Sequence, residues 1–333
     1  AYTYDGGGSE RAVKEILVGR HDRESFLLAT KLPGMKLYSM ESKDEILKEQ
    51  LERTGAGYFD FYLLHAINDQ SAAVFEKYDC FNWMLKKKEE GTLRHIGFSY
   101  HGTPDFLDGL LDRHPEVEFV QLQINYADWE RDNVQSRGVY EVARKHNIPI
   151  TVMEPVKGGS LAILREDVGR PLKEADPEAS YASWALRFVA SKDGLLTVLS
   201  GMSNMEQMED NLKTMKNFKK LTSEEEEMLF KVNAHMDETP TVPCTGCRYC
   251  VEGCPAEIAI PNMIKFLNTC KVYGYTPSVG RLFGMTLDGG SGLPSACVSC
   301  GQCEGVCPQR LPIVEIMKEI KETVEDRRRL DGK

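Results

Sequence analysis

The chain has 333 residues, 41% of them hydrophobic and 28% charged, with a formal net charge of -10 at pH 7. That length leaves room for about two domains, and no apolar run approaches the ~18 residues of a membrane span. The acidic balance argues against nucleic acid as a general partner. The basic clusters Lys86-Lys87-Lys88 and Arg327-Arg328-Arg329 have acids close by and read as solvated helix faces.

From residue 1 to about 221, short apolar runs alternate with amphipathic patterns. The runs 25–30, 58–65, 95–99, 119–125, 148–153 and 197–201 are almost continuously apolar, as strands buried on both faces are. Helical periodicity covers 9–20, 42–54, 78–90, 104–113, 134–146 and 177–191. The second pattern opens on Ser42 with Glu45 three residues on, a capping-box spacing. Alternation at this period predicts a parallel sheet with crossover helices. A doubly wound open sheet would carry a Gly-x-Gly-x-x-Gly turn after its first strand, and none is present. The polar residues favour a (β/α)8 barrel instead. Lys31, His65, the Ser99-Tyr100-His101 run, Glu154 and the Gly201 to Asn204 run follow or end strand candidates, and Gln121, Gln123 and Asn125 line another. Strand carboxyl ends are where a barrel places its functional residues.

Residues 221–236 read as a helix with Thr222 or Ser223 as its cap, and 240–243 as a stiff linker. Eight of the ten cysteines then fall in two Cys-x-x-Cys-x-x-Cys-x-x-x-Cys-Pro runs. Three thiolates at two-residue gaps wrap one face of an iron-sulfur cube, and the fourth, before a proline, reaches the other cube. The spacing therefore assigns Cys244, Cys247, Cys250 and Cys307 to one [4Fe-4S] cluster, and Cys297, Cys300, Cys303 and Cys254 to a second. Zinc ribbons use more widely separated pairs, and disulfides need an oxidising compartment. A thiolate framework implies a reducing interior, hence the cytoplasm. Cys80 and Cys270 lie outside the pattern and read as core thiols. Between the runs, 261–274 reads as a helix and 283–294 as a glycine-rich loop; 312–333 is an amphipathic helix with Ile313, Ile316 and Ile320 on its apolar face.

The cysteine segment resembles the bacterial-type ferredoxin domain. The sequence before it resembles the aldo-keto reductases. AYTYDGGGSE at 1–10 is similar to their Asp-x-Ala-x-x-Tyr-Gly-x-x-Glu signature from its alanine onward. LATKLP at 28–33, FYLLHAI at 61–67, RHIGFSYHG at 94–102, VQLQINYAD at 120–128 and LSGMSNMEQMEDNL at 199–212 resemble successive strands of that family. Together the two segments resemble the subgroup with a carboxy-terminal ferredoxin-type domain. The resemblance implies an aldo-keto reductase barrel over 1–236, lacking its first two strands and the family aspartate, followed by a small α+β ferredoxin-like domain over 237–333.

It also implies NAD(P)H-dependent hydride transfer to a small carbonyl or from an alcohol, with Tyr4 as proton donor, Lys31 lowering the tyrosine pKa and His65 holding the carbonyl oxygen. Ser99 and Gln121 match nicotinamide contacts, and Lys157, Gly158 and Gly159 a turn that approaches the pyrophosphate. Gly201, Ser203, Gln207 and Asn211 match the adenosine end. Asn204 stands where many relatives are basic, so NADP is expected with NAD as the alternative. The clusters imply a redox partner protein or a structural role. A second reading is an electron carrier or nucleotide-binding protein whose barrel turns over little.

Overall fold

The structure is a computed structural model describing residues 1–132, 134–307 and 309–330. The side chains at 277 and 326–330 fall outside that description, and the Arg327 to Arg329 cluster with them. The chain forms two compact units, Ala1–Pro155 with Phe188–Gly201, and Val156–Arg187 with Met202–Lys333. This division runs across the 236/237 boundary read from the sequence.

The first unit holds a six-stranded parallel sheet with its strands in chain order. They are β1 (Ala29–Pro33), β2 (Phe59–Ile67), β3 (Leu93–Tyr100), β4 (Phe119–Gln123), β5 (Ile150–Met153) and β6 (Leu195–Val198), with β1 and β6 at the edges. Six helices accompany them: α1 (Gly8–Val13), α2 (Ser42–Thr54), α3 (Ala72–Lys77), α4 (Cys80–Glu89), α5 (Pro104–Arg113) and α6 (Ser136–Lys145). Side chains of partnered residues leave a sheet on the same face. Leu32, Leu64, Phe98, Val120 and Ile150 are successive register partners from β1 to β5, and each is 0% exposed. Burial of such a side chain contributes about 1.5–3 kcal/mol, so this row fixes which face of each strand turns inward. Gly97 is needed in β3, because a Cβ there would stand 2.2 Å from the Phe119 carbonyl oxygen. In α5, Pro104 takes the first turn and Leu107, Leu110 and Leu111 form the buried stripe.

One local expectation changes. The capping box at Ser42 is not formed: Ser42 lies inside α2, and its Oγ accepts the Tyr38 and Ser39 N–H groups at 3.1 and 2.8 Å. The Glu45 carboxylate instead accepts the Tyr38 hydroxyl. The helix expected over 78–90 is present as α4, which starts at Cys80 because Asp79 adopts φ 51°, and the separate short helix α3 precedes it. The Lys87 and Lys88 ammonium groups do find acids, Asp44 and Glu90 for the first and Glu118 for the second. Trp83 and Trp129 are core residues.

In the second unit the described regular structure is helical, except for a few turns. It comprises α7 (Glu166–Ala175), α8 (Tyr181–Ala190, which ends in the first unit), α9 (Met205–Lys216) and α10 (Ser223–Asp237). These are followed by α11 (Tyr249–Glu252), α12 (Ile260–Tyr273), α13 (Pro277–Asp288), α14 (Gln302–Gly305) and α15 (Ile313–Leu330). Thr222 caps α10 through a complete capping box with Glu225. The expected glycine-rich loop is partly overturned, because α13 runs through Asp288. Thr276 Oγ1 accepts the Val279 N–H at 3.3 Å, and Val279 and Phe283 enter the core, which outweighs the helix-weakening Gly280 and Gly284.

The cysteine segment is an internal repeat in which position n corresponds to n + 53. Left-handed backbone recurs at Gly246 and Ser299, at Arg248 and Gly301, and at Glu257 and Arg310. The buried residues Ile258, Ile260, Met263, Ile264 and Leu267 correspond to Leu311, Ile313, Ile316, Met317 and Ile320, and all ten share one core. Helices α12 and α15 are thus the same element used twice.

Asp60, at the start of β2, gives a pH test of the first unit. Its carboxylate is 1% exposed and accepts from the Leu28 N–H at 2.8 Å, from Arg23 at 2.7 Å and from Arg94 at 2.9 Å. Burial pushes the carboxyl up, but the bonds from Leu28 and Arg23 and the charges of Arg23 and Arg94 outweigh it and hold it below its usual value. A depressed carboxyl contributes stability above its unfolded pKa of about 3.9 and loses it as pH falls through the folded value. Chemical denaturation should therefore show Asp60→Asn well below the native protein at pH 7, with the gap closing below about pH 4; a gap constant with pH is the contrary result.

Candidate functional site

β1 and β2 set the geometry of the first unit's site. Lys31 is paired with Leu63 and Pro33 with His65, so Lys31 and His65 leave the same face near the carboxyl ends of their strands. Tyr4 comes from the turn before α1, where Asp5, Gly6 and Gly7 all have positive φ. Its ring lies 5.6 Å from the His65 ring at 70°, and the Lys31 Nζ is 5.4 Å from its centroid. Three residues distant in sequence are thereby brought together.

Burial dominates the electrostatics of these three side chains. The Tyr4 hydroxyl is raised above its ordinary pKa, first by burial and then by the Glu154 carboxylate. Lys31 lies over the ring face, and burial and Glu154 decide the net direction of the hydroxyl's shift. Burial lowers the Lys31 ammonium. Burial, and then the charge of Lys31, take His65 down to about 4. His101 is lowered for the same two reasons. His101 and Glu154 thus belong to this neighbourhood, although the motif reading assigned neither a role. Glu154 follows β5 with φ 59°, and its carbonyl accepts from Asn125 Nδ2 at 3.1 Å. A turn that re-aims one residue leaves little trace in composition.

A buried polar network stands behind Lys31. Gln50 Nε2 donates to the Lys31 carbonyl at 2.9 Å and to Thr30 Oγ1 at 3.1 Å, while Thr30 donates to Glu10 at 2.8 Å and Tyr62 to Gln50 Oε1 at 2.7 Å. Gln50 is 0% exposed and Glu10 2%. The signal available in the sequence was a glutamine on the apolar side of α2.

Ser99 and Gln121 are register partners and share the face of Lys31 and His65. Ser99 Oγ accepts the N–H of Ala66, a non-glycine at φ 59° directly after His65. Gln121 is 6% exposed, and its amide N–H points to the Met153 sulfur at 3.2 Å, a weak acceptor. Gln123 and Asn125, from the same polar stripe, are instead tied to Asp128. Gly201 ends the first unit's last segment.

The other expected nucleotide contacts lie in the second unit. Lys157, Gly158 and Gly159 form a turn with three successive positive φ values, but the Gly159 N–H is already donated to Val156 O at 2.9 Å. Lys157 Nζ lies 5.8 Å from the Tyr273 ring centroid. Gln207 Oε1 accepts the Ser203 N–H at 2.7 Å, and Asn204 caps α9 by accepting the Gln207 N–H at 2.9 Å. Asn211 lies one turn further along α9.

All ten cysteines are free thiols. Two cavities receive eight of them. One is lined by Cys244, Cys247, Cys250 and Cys307. The other is lined by Cys254, Cys297, Cys300 and Cys303. Each cavity takes three cysteines from one run and the fourth from the other. Among the described residues, no group of three or more His, Cys, Asp or Glu side chains could hold a metal ion. A four-iron cube asks for a different arrangement, thiols spread around a space rather than aimed at one point. Burial, then the neighbouring thiols, push the Cys250 thiol up to about 11. Cys80 and Cys270 line neither cavity and are pushed up to about 12, chiefly by burial, as inert core thiols are.

Residues 1–234 match the model of the Aldo/keto reductase family, and residues 243–311 match the 4Fe-4S dicluster domain. An aldo-keto reductase of Mycobacterium avium is 28% identical over 212 residues, covering 62% of this chain and 67% of the relative. Among solved structures, the holo form of aldo-keto reductase AKR11C1 from Bacillus halodurans superposes with a TM-score of 0.53 at 23% identity, over 69% of this chain and 80% of that one. An aldo/keto reductase from Klebsiella pneumoniae in complex with NADP and acetate gives 0.53 at 20% identity, over 70% and 78%.

The depressed His65 gives a direct check on the geometry. Between its folded value of about 4 and the ordinary value near 6.5, the folded protein leaves this ring neutral. The His65 imidazole signals in NMR should stay constant from pH 8 to 5. A midpoint between 6 and 7 would place the ring in open water, away from Tyr4 and Lys31.

Proposed function

Because the chain belongs to the aldo/keto reductase family and carries a 4Fe-4S dicluster segment near its carboxyl end, we propose that it is an NAD(P)H-dependent carbonyl reductase holding two [4Fe-4S] clusters. The observation that carries this reading is the assembly of Tyr4, Lys31 and His65 beside the carboxyl ends of β1 and β2. In this reading residues 1–236 form the reductase portion and 237–333 the cluster portion.

When bound, a reduced nicotinamide supplies the hydride. As charge grows on the substrate oxygen, the neutral His65 ring offers one N–H to it. Tyr4, kept protonated by burial and by Glu154, gives up its proton, and Lys31 over the ring face favours the phenolate left behind. Ser99 retains its hydroxyl proton, and the buried Gln121 amide N–H points to a thioether, a weak acceptor. Together they offer the donors and acceptor that a carboxamide needs. Lys157, Gly158 and Gly159 are proposed for the pyrophosphate, and Gly201, Ser203, Gln207 and Asn211 for the adenosine end. The Klebsiella relative's complex with NADP supports the phosphorylated cofactor, with NAD as the alternative because Asn204 is uncharged.

The eight cavity cysteines fit two cubes. Cys247 and Cys300 are exposed, which supports exchange of single electrons with a separate redox partner. A thiolate framework of this kind supports a reducing compartment, the cytoplasm in this reading. The electron-carrier reading shares these clusters and differs only in the barrel's turnover.

Tyr4→Phe should lower kcat for NADPH-dependent carbonyl reduction by about 10²–10⁴ while NADPH binding, followed by fluorescence, stays unchanged. An unaltered kcat removes Tyr4 as the proton donor; no turnover with any carbonyl in the unaltered protein favours the carrier. In an anaerobic spectrum of protein with about eight irons, bleaching by NADPH supports communication with the clusters, and bleaching by dithionite alone argues against it.

A further inference from the structure

The two cysteine cavities are lined by equivalent positions of the repeat, and the residues at those positions differ in one direction. Thr245, Arg248 and Gln309 line the cavity of Cys244, Cys247, Cys250 and Cys307. Their counterparts in the other cavity are Val298, Gly301 and Ala256. Two polar side chains and a guanidinium are thus replaced by two apolar side chains and a glycine. The second cavity also has one neutral polar residue of its own, Gln302.

A second pair of positions adds to the difference. Val314 lines the second cavity, and its N–H is accepted by the Glu304 carboxylate at 2.8 Å. In the other half the same positions are Pro261, which has no N–H, and Val251, which has no charge. A carboxylate therefore adjoins the cavity that lacks the guanidinium. Glu252, opposite Gly305 in the repeat, runs the other way; neither it nor Glu304 lines a cavity, but Glu304 accepts the N–H of the lining residue Val314.

Resting on the two-cluster reading, we infer that the sites are electrically unequal: the first electron added to the oxidised pair settles at Cys244, Cys247, Cys250 and Cys307. Reducing a four-iron cube adds one negative charge, and local charge, hydrogen bonding and solvent exposure set its cost. Arg248 and the amide and hydroxyl groups of Gln309 and Thr245 stabilise that charge, while Glu304 and the apolar lining oppose it in the other cavity. The step balances simply. A one-electron donor, dithionite in the test, is oxidised; one [4Fe-4S]2+ becomes [4Fe-4S]+, with no bond made or broken. Within the pair, an electron arriving at Cys297, Cys300, Cys303 and Cys254 then moves to the first site.

The test is an anaerobic, EPR-monitored redox titration of the full-length holoprotein, with iron counted in each sample. Two midpoints are expected, apart by at least the tenfold occupancy ratio that about 59 mV represents for a one-electron couple. Arg248→Gly should lower the upper midpoint only. Gly301→Arg should raise the lower midpoint only; that position already has φ 72°, close to the 68° of Arg248, and an added Cβ meets nothing within 4 Å. Coincident midpoints in the unaltered protein, or an Arg248→Gly shift in the lower midpoint, overturn the inference. Fewer than about eight irons overturns the two-cluster reading itself.

Discussion

Strict alternation of side chains across a parallel sheet governs the first unit. Once Leu32, Leu64, Phe98, Val120 and Ile150 are driven to one face by burial, Lys31, Ser99 and Gln121 in the neighbouring registers must leave by the other, and His65 with them. A slip of one residue in any strand would exchange the two sets, placing an ammonium or an amide in the apolar layer. The candidate site is therefore specified mainly by the hydrophobic row opposite it. Gln50 strengthens the arrangement locally, since one amide satisfies the Lys31 carbonyl and Thr30 together.

Much of this was legible in the sequence because strand periodicity and strand ends are local signals. The six strands, with Lys31 inside the first and His65 near the end of the second, and the helices α2, α5 and α12 follow from patterns within a dozen residues. What was misread depended on competition between local options. Ser42 had the sequence of a cap but turned back to the Tyr38 and Ser39 amides. The glycines from Gly284 to Gly292 suggested a loop, yet Val279 and Phe283, four apart, found a core and held the helix through Asp288. His101 and Glu154 were not given roles because their positions depend on strand-end turns and on tertiary neighbours.

The cysteine segment shows the same physics in duplicate. Each half supplies a left-handed residue on either side of its second cysteine and another three positions after its fourth. Each then supplies a helix whose apolar positions meet the other's in a shared core. Spacing alone was enough to propose which thiols belong together. It said nothing about the surroundings, because the residues that distinguish the cavities are interleaved among cysteines that look identical in both runs.

The exchange of Cys254 and Cys307 between the cavities also bears on how the protein is made. A ribosome that has released Cys250 must still add Cys307 before the first cavity has its fourth thiol, and at about 5–20 residues per second this takes seconds. Cys254, meanwhile, is waiting for partners that have yet to be synthesised. Neither cavity closes on a nascent half, and a chain that stops before Cys307 leaves the first of them open. In the two-cluster reading, the first cube cannot take its full set of thiols until Cys307 has been made, nor the second until Cys303 has.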